Sequence, residues 1–304
     1  MKYLLILNPG SKSGKGKKLW NTWLSLLQQR NAVFETVVPN STDHIVDIAK
    51  QATEFDAIVA VGGDGTINRV VTGILDSSMP NRSIGVLYSG TSPDFCRFHK
   101  IPLSPVSAVD ALLSNKNKLV DVAKITYQNI QKNTESAYFI CSCNIGLGAE
   151  VARKANYLRK FFGDKCGTGL ASIWSIINSS KIELKVKTNI LKATLSQVNN
   201  LSVIINPYLA SGLKLNISKT PTDGKLILFA LQKRNCFSLL KDLEKFYTGT
   251  IINAQNVFLA DCQKLEVTTS ANQEVEFDGD PYGFLPLTIE LQSKKLKLLG
   301  CDYA

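Results

Sequence analysis

Histidine is almost missing from this sequence. Only His44 and His99 occur, and with the irregularly spaced cysteines they show no zinc quartet. The seven cysteines, Cys96, Cys141, Cys143, Cys166, Cys236, Cys262 and Cys301, are odd in number and irregular in spacing. That argues against a disulfide framework, and reduced, mostly buried thiols in a cytoplasmic protein are expected. Long apolar runs are missing too. Nowhere does the sequence reach the ~18 apolar residues of a membrane helix. The apolar run over residues 3–7 is too short for the core of a signal peptide before Asn8-Pro9-Gly10. Neither export nor membrane spanning is therefore expected. No internal repeat, linker, low-complexity segment or aromatic-basic RNA motif stands out, so no nucleic-acid partner is expected. Acidic residues are the scarcer charge, 25 against 35 Lys and Arg, for a net charge of +10. An anionic partner follows, a nucleotide or an acidic membrane surface, although scattered lysines also suit a plain solvated basic surface.

What is present is a normal globular composition: 304 residues, 44% of them hydrophobic, enough for one large or two medium domains with a real core. The chain is organised around one stretch. An apolar run over residues 57–61 ends in Gly62-Gly63-Asp64-Gly65-Thr66-Ile67-Asn68, and a helical pattern of Ile67, Val70, Val71, Ile74 and Leu75 follows at once. This reads as a buried strand, a tight glycine turn and a helix N-terminus. Glycines admit a ligand close to the backbone, and the N–H groups at a helix start favour an anion. Asp64 adds a carboxylate suited to Mg²⁺ or a hydroxyl proton, and Thr66 suits a helix cap or a phosphate.

The preceding residues alternate in the same way. A strand over residues 3–7 runs into the small, polar, basic loop Asn8-Pro9-Gly10-Ser11-Lys12-Ser13-Gly14-Lys15-Gly16. A Walker A loop is excluded, because Gly16-Lys17 would need glycine at position 11 and Ser or Thr at position 18, which are Ser11 and Lys18. A helix with Leu19, Trp20, Trp23, Leu24 and Leu27 on one face follows, then a strand over 32–38 and a helix over 45–52. Residues 84–88 form the next strand and end in Ser89-Gly90-Thr91-Ser92-Pro93-Asp94-Phe95-Cys96-Arg97. Alternating strands and helices predict a parallel, Rossmann-like sheet covered on both faces. Ligands of such sheets bind beyond the carboxyl ends of the strands, the edge that carries all three loops.

After a short helix over 105–114 the texture changes. Strands are predicted over 119–125, 137–144, 181–187, 201–206, 225–231, 257–259, 264–269, 274–277 and 287–291, with helical patterns near 150–162, 169–178 and 237–247. A boundary near residue 120 and a mainly antiparallel β second domain are expected. The apolar residues Ile173, Trp174, Ile176 and Ile177 are expected to pack in the core rather than touch lipid. Two carboxylate clusters lie in this domain. Thr220-Pro221-Thr222-Asp223-Gly224-Lys225 has the Asp-Gly of a hairpin turn. Glu276-Phe277-Asp278-Gly279-Asp280 crowds carboxylates, which raises their proton affinity as a general base needs, though it too suits a hairpin.

Asn8-Pro9 with its Ser/Gly/Lys loop, Gly62-Gly63-Asp64-Gly65-Thr66-Ile67-Asn68 and Gly90-Thr91-x-x-Asp94-Phe95-x-Arg97 together resemble the catalytic domain of diacylglycerol kinases, a family that includes soluble bacterial lipid kinases and the sphingosine and ceramide kinases. The glycine motif alone is shared with NAD kinases and resembles phosphofructokinases; the Gly90 to Phe95 element points to lipid kinases. The resemblance covers essentially the whole chain. It implies a nucleotide-binding kinase domain over 1–120, a lipid-substrate domain over 121–304, and a site in the cleft between them. It further implies ATP on Asn8, Pro9, Ser11, Lys12, Ser13, Gly14, Gly62, Gly63, Asp64, Gly65, Thr66, Asn68, Gly90 and Thr91. Asp64 and Asp94 would organise Mg²⁺, with Lys12, Lys15 and Arg97 supplying charge. Asp280 would take the proton of a lipid hydroxyl, with Asp278 as fallback. Asp223, with carbonyls near Thr220 and Lys225, would hold a structural Mg²⁺. A cytoplasmic lipid kinase in peripheral contact with an anionic membrane is implied, and a homodimer is left open.

Three positions depart from the family pattern. Pro93 stands where the family has Asn, Arg69 where it often has Glu, and Asp280 where it has Glu. They keep two other readings open, a soluble-metabolite kinase of the NAD kinase type and a relative that binds nucleotide and membrane without turnover.

Overall fold

The structure, a computed structural model, describes residues 1–209 and 213–301, leaving out the side chains of residues 12–15, 164 and 165. The chain forms two compact units, residues 1–121 with 293–304, and residues 122–292. The sequence placed 121–304 in one domain. Residues 293–304 instead belong with the first unit, because Lys297 and Leu298 pair in parallel with Ser83 and Ile84 and so extend its sheet.

The first unit is built on β1 (Lys2–Leu7), α1 (Trp20–Gln29), β2 (Val33–Val37), α2 (His44–Gln51), β3 (Ala57–Gly62), α3 (Asp64–Leu75), β4 (Ser83–Tyr88), α4 (Asp94–Phe98) and α5 (Pro105–Leu113). All strand pairs are parallel. β1 lies between β2 and β3, and β3 pairs with β4. Every residue of β3 and β4 is buried, as expected of strands covered on both faces. Tyr3, Leu5 and Leu7 share one core with Ala57, Val59 and Val61, and with Trp23, Leu27, Val109 and Leu112 of the covering helices. Strand order reverses between β1 and β3, so the loops after them flank the switch point where such sheets bind ligands.

The loop after β1 is not irregular. Residues Ser11–Leu19 wind as a 3₁₀ helix leading into α1, which its glycines and lysines did not announce.

The second unit contains β5 (Asn117–Gln128), which enters from the first, β6 (Thr134–Phe139), β7 (Ser142–Gly146), α6 (Leu147–Ile177), β8 (Ile182–Thr188), β9 (Lys192–Ile204), β10 (Tyr208–Leu209), β11 (Leu213–Lys214), β12 (Leu226–Gln232), α7 (Cys236–Thr248), β13 (Val257–Cys262), β14 (Lys264–Thr268), β15 (Glu274–Phe277) and β16 (Asp280–Leu299). Its strands pair antiparallel. β9 pairs β7, β7 pairs β15, β15 pairs β16, β16 pairs β14, β14 pairs β8, and β8 returns to β9. The circuit closes on itself, which leaves these strands no open edge. β9 serves both ends of the circuit, Lys192–Val198 against β8 and Asn200–Ile204 against β7. Leu184, Val186, Leu201, Val203, Phe277, Leu287 and Ile289 fill its core.

α6 is a helical hairpin rather than one rod. Gly163 is non-helical, with φ 72° and ψ 173°. A Cβ on Gly167 would lie 2.6 Å from the Arg159 nitrogen, and the Lys154 ammonium sits 5.0 Å from the Trp174 ring. The two arms therefore lie against each other. Of the apolar residues expected in the core, Ile176 is buried but Ile173, Trp174 and Ile177 are exposed. One helix face can be buried against β12 and α7; the residues on its other face cannot follow.

Candidate functional site

Three loops at the carboxyl edge of the parallel sheet are fastened to one another. The Asn8 amide donates to the Thr66 hydroxyl at 2.7 Å and its Oδ1 accepts the Gly10 N–H at 3.0 Å. Ser11 and Ser89 share a hydrogen bond of 2.9 Å between their hydroxyls. Glycine makes this packing possible. A Cβ on Gly62 would lie 2.2 Å from the Thr66 hydroxyl oxygen, and one on Gly90 would lie 2.5 Å from both the Gly63 Cα and the Tyr88 hydroxyl. Gly16 leaves the room that the Ser11–Ser89 pair occupies, since its Cβ would lie 2.0 Å from the Ser11 oxygen. Ser89 and Gly16 were not among the expected ligand residues, although both lie in loops that the sequence singled out.

Gly63 precedes α3, and its carbonyl accepts the N–H groups of Thr66 and Ile67 at 2.9 and 3.1 Å. The first-turn N–H groups of a helix have no acceptor within it, and they are brought here to the glycine junction. Thr66 and Asn68 are buried, while Gly63, Asp64 and Gly65 are half-buried. Thr91 is exposed at the rim, and Pro9 is half-buried beside Asn8. Lys12, Ser13, Gly14 and Lys15 lie on the 3₁₀ helix, and their side chains are outside the description.

Pro93 occupies the N-cap of α4, and its carbonyl accepts the Arg97 N–H at 2.9 Å. Pro93 offers no side chain to cap the helix, a role open to the family's Asn. Asp94 is buried, accepts the Ser92 hydroxyl at 2.7 Å, and lies 3.6 Å from the Arg97 guanidinium. Burial pushes the Cys96 thiol well above its ordinary range, and the Asp64 carboxylate nearby adds to the shift. The glycine turn and the third loop are therefore in electrostatic contact. Glycine backbone, hydroxyls, a helix start and two carboxylates on one edge suit a polyphosphate carrying a hydrated divalent cation.

The carboxylate cluster of the second unit is a hairpin. Phe277 pairs with Asp280, and Asp278 and Gly279 between them take φ of 51° and 93°, as a two-residue turn of this hand requires. Its three carboxylates have different surroundings. Asp278 accepts the N–H groups of Ile140 and Cys141 at 2.8 Å and of Ser142 at 3.2 Å. Both of its oxygens are engaged, so Asp278 latches the β6–β7 connection. Asp280 is half-buried, and Asn156 of α6 donates to its Oδ1 at 3.3 Å and to the Gly279 carbonyl at 3.2 Å.

Glu276, to which the sequence assigned no role, is buried, and burial pushes its carboxyl up to about 8. Hydrogen bonds from Asn144 and Gly279 oppose that shift, and the charges of Asp278 and Asp280 reinforce it. Its Oε2 accepts from Asn144 at 2.7 Å. Asn144 Oδ1 in turn accepts the Ser202 hydroxyl at 2.6 Å, and Ser202 accepts from Asn200 at 2.9 Å. Strand alternation places Glu276 opposite Val275 and Phe277, but only the pairing of β7, β9 and β15 supplies these polar partners.

The expected structural metal at Asp223 does not fit. The Lys219 ammonium is bonded to Asp223 Oδ1 and lies 2.5 Å from the Lys225 carbonyl. The Thr220 carbonyl accepts the Asp223 N–H at 3.4 Å. A cation of the chain's own thus stands among the oxygens that the resemblance assigned to Mg²⁺. A separate cavity of 430 Å³ beside the start of α6 is lined by Glu150, Arg153, Glu274 and Phe284, among others. Arg153 and Glu274 pair there at 3.1 Å, a polar lining unlike that of an acyl pocket.

Comparison with known proteins adds independent findings. The family model described as "Diacylglycerol kinase catalytic domain" matches residues 2–125, and that described as "YegS C-terminal NAD kinase beta sandwich-like domain" matches residues 141–300. A diacylglycerol kinase of Bacillus subtilis (strain 168) is 25% identical over 299 residues, 93% of this chain and 90% of that protein. A crystal structure of a diacylglycerol kinase from Bacillus anthracis str. Sterne superposes with a TM-score of 0.75 at 20% identity, covering 98% of this chain and 96% of that one. Yeast NADH kinase complexed with NADH superposes with a TM-score of 0.52 at 12% identity, covering 98% of this chain and 82% of that one. The α/β first part and the antiparallel β second part agree with both family models.

Proposed function

The chain belongs to the diacylglycerol kinase catalytic-domain family, and from that premise we propose that it transfers the γ-phosphate of ATP to the hydroxyl of a diacylglycerol-like lipid. The observation that carries this reading is the three-loop junction, in which Asn8–Thr66 and Ser11–Ser89 hydrogen bonds hold a glycine-lined helix start at the carboxyl edge of the sheet.

The substrate nucleotide would arrive as its Mg²⁺ complex. Its phosphates would lie along Asn8, Pro9, Ser11, Gly62, Gly63, Gly65, Thr66, Gly90 and Thr91, with Lys12, Ser13 and Gly14 completing the first loop. Asp64 and Asp94 would hold the phosphate-bound cation directly or through water. Asp280 would accept the proton of the lipid hydroxyl as its oxygen bonds to the γ-phosphorus. The bond from that phosphorus to the β,γ-bridging oxygen breaks, and ADP leaves with the electron pair. Little covalent work is asked of the protein, since such transfer rests on positioning and charge stabilisation. Asn156 holds the Asp280 carboxylate and its turn from α6.

The acceptor would be met at an anionic bilayer. The α6 hairpin supports this: Phe161 and Phe162 near its bend are 66% and 55% exposed, and Trp174 and Ile177 are 53% and 62% exposed. Arg153, Lys154, Arg159 and Lys160 lie on the same element. Apolar side chains beside basic ones suit the interface of an acidic membrane. No helix among the described residues is long and apolar enough to cross one.

The deciding experiment is label transfer from γ-labelled ATP with Mg²⁺. The acceptors are micelles of diacylglycerol, monoacylglycerol, ceramide or sphingosine, with NAD as soluble control and an Asp64→Ala variant alongside. Label in one lipid, lost in the variant, supports the proposal and names the acceptor. Label in NAD alone moves the chain to a soluble acceptor. ATP binding without transfer to any acceptor speaks for a non-catalytic relative.

A further inference from the structure

In the turn at Thr220–Lys225, two of the oxygens suited to a hard cation are the Asp223 carboxylate and the Lys225 carbonyl. The Asp223 Oδ2 accepts the Thr220 N–H at 3.2 Å and its Oδ1 accepts the Lys225 N–H at 3.1 Å. These bonds fix the direction in which the carboxylate points. The next carbonyl, Gly224, accepts the Gln263 amide at 3.1 Å, so the turn is also tied to the end of β13. Into this arrangement comes Lys219, from one helical-turn length earlier in the sequence. Its ammonium bonds Asp223 Oδ1 and the Lys225 carbonyl together, and its side chain is 0% exposed.

Lys225, by contrast, turns its own ammonium outward to Asp261 at 3.0 Å and is 57% exposed. Of the two lysines, Lys219 is the one whose side chain is buried in the turn. We infer that the Lys219 ammonium replaces a divalent cation in this turn, so that the 219–225 segment is held by an internal charge and does not need metal.

Three physical points carry this. An ammonium is a compact point charge with three donors and no acceptor, and here it meets an anionic and a neutral oxygen, the ligand types that Mg²⁺ takes. Burying such a charge is unfavourable unless it is paired and hydrogen-bonded, and Lys219 is both. A divalent ion would have to contact these same two oxygens, and two cations cannot share them. The balance differs as well. The Lys219–Asp223 pair is neutral, whereas a divalent ion on one carboxylate would leave an excess positive charge in a chain already at +10.

The test is independent of phosphoryl transfer. Crystals of the wild-type protein and of Lys219→Ala would be soaked in Mn²⁺ and examined by anomalous scattering, and both proteins would be melted in EDTA and in millimolar Mn²⁺. No Mn²⁺ beside Asp223 is expected in the wild type. In the variant an anomalous peak is expected at Asp223 and the Lys225 carbonyl. Its melting temperature should be depressed in EDTA and rise by several degrees with metal, as binding to the folded state requires. Adding Asp223→Asn to the variant should abolish that rise, which separates it from metal bound elsewhere. A wild-type peak at Asp223 with Lys219 swung aside would overturn the inference. So would a folded Lys219→Ala protein that binds no Mn²⁺ there. If the variant does not fold in either buffer, the wild-type soak decides alone: a vacant Asp223 sustains the inference and a metal peak ends it.

Discussion

Asn8 and Thr66 are joined by a 2.7 Å hydrogen bond from the amide of one to the hydroxyl of the other. The bond spans 58 positions of sequence and ties the loop after β1 to the first turn of α3. Ser11 and Ser89 make the matching tie to the loop after β4. Because the loops are mutually fastened, a change in one is felt in the others.

Gly90→Ala tests the close approach. The added methyl would stand 2.5 Å from the Gly63 Cα and the Tyr88 hydroxyl, and backbone cannot yield as a side-chain tip can. We expect ATP to bind at least tenfold more weakly, about 1.4 kcal/mol, by titration calorimetry, and the melting temperature to fall as the loops are forced apart. Asn8→Ala removes the bonds to Thr66 and from Gly10, each worth about 1 kcal/mol, and should also weaken ATP binding.

Asp280→Asn removes the proposed proton acceptor and leaves the nucleotide loops untouched. Turnover with lipid should fall by about 10²–10⁴ while ATP affinity is unchanged. Unchanged turnover would exclude Asp280 from the chemistry. Asp280→Glu should stay active.

Asp278→Ala is expected to act on stability instead. Three backbone N–H groups lose the carboxylate that accepts them. We expect a loss of about 2–3 kcal/mol, the scale of charge-assisted bonds and of stranded donors, read as a shift in urea midpoint.

Glu276 makes a pH prediction. Its carboxyl is raised from 4.5 to about 8 in the folded protein, with burial the largest cause. The folded state therefore holds a proton that the unfolded state has released between those values. The stabilisation is fully present below about pH 4.5, falls as pH rises, and is gone above about pH 8. Urea unfolding across this range should show that decline, and Glu276→Gln should flatten it.

Phe161→Glu with Phe162→Glu should abolish sedimentation with anionic vesicles and leave ATP binding intact. Wild-type binding should weaken with salt, because part of the attraction is between exposed charges. Binding that survives the double change would place membrane contact elsewhere.

Much of this protein could be read along its length. Local periodicity decides which face of a strand or helix is apolar. The alternation of mostly apolar strands with amphipathic helices over residues 3–113 therefore announced a parallel sheet, and Gly62-Gly63-Asp64-Gly65-Thr66 announced a backbone open to an anion. The second unit's strands were visible as short alternating runs, although the first half of β9, Lys192–Val198, was missed: its Lys, Thr, Ser and Gln are polar where a core strand is not.

Tertiary structure decided what meets what. Nothing in the spacing of Ser11 and Ser89 says that they touch; that follows from β1 and β4 flanking β3 in one sheet. Among three neighbouring carboxylates, sequence could not separate the latch Asp278, the buried acid Glu276 and the half-buried Asp280, because their difference lies in partners contributed by β6, β7 and α6. Ile173, Trp174 and Ile177 read as core by composition and are exposed because the opposite face of their helix took the available contacts. At Asp223 the ligand types were legible, but the identity of the cation was not: a lysine four residues earlier is an ordinary surface charge until the fold buries its ammonium between two oxygens. Propensity and patterning are local properties of the chain. Proximity, burial and the charge state they impose exist only once distant segments are packed together.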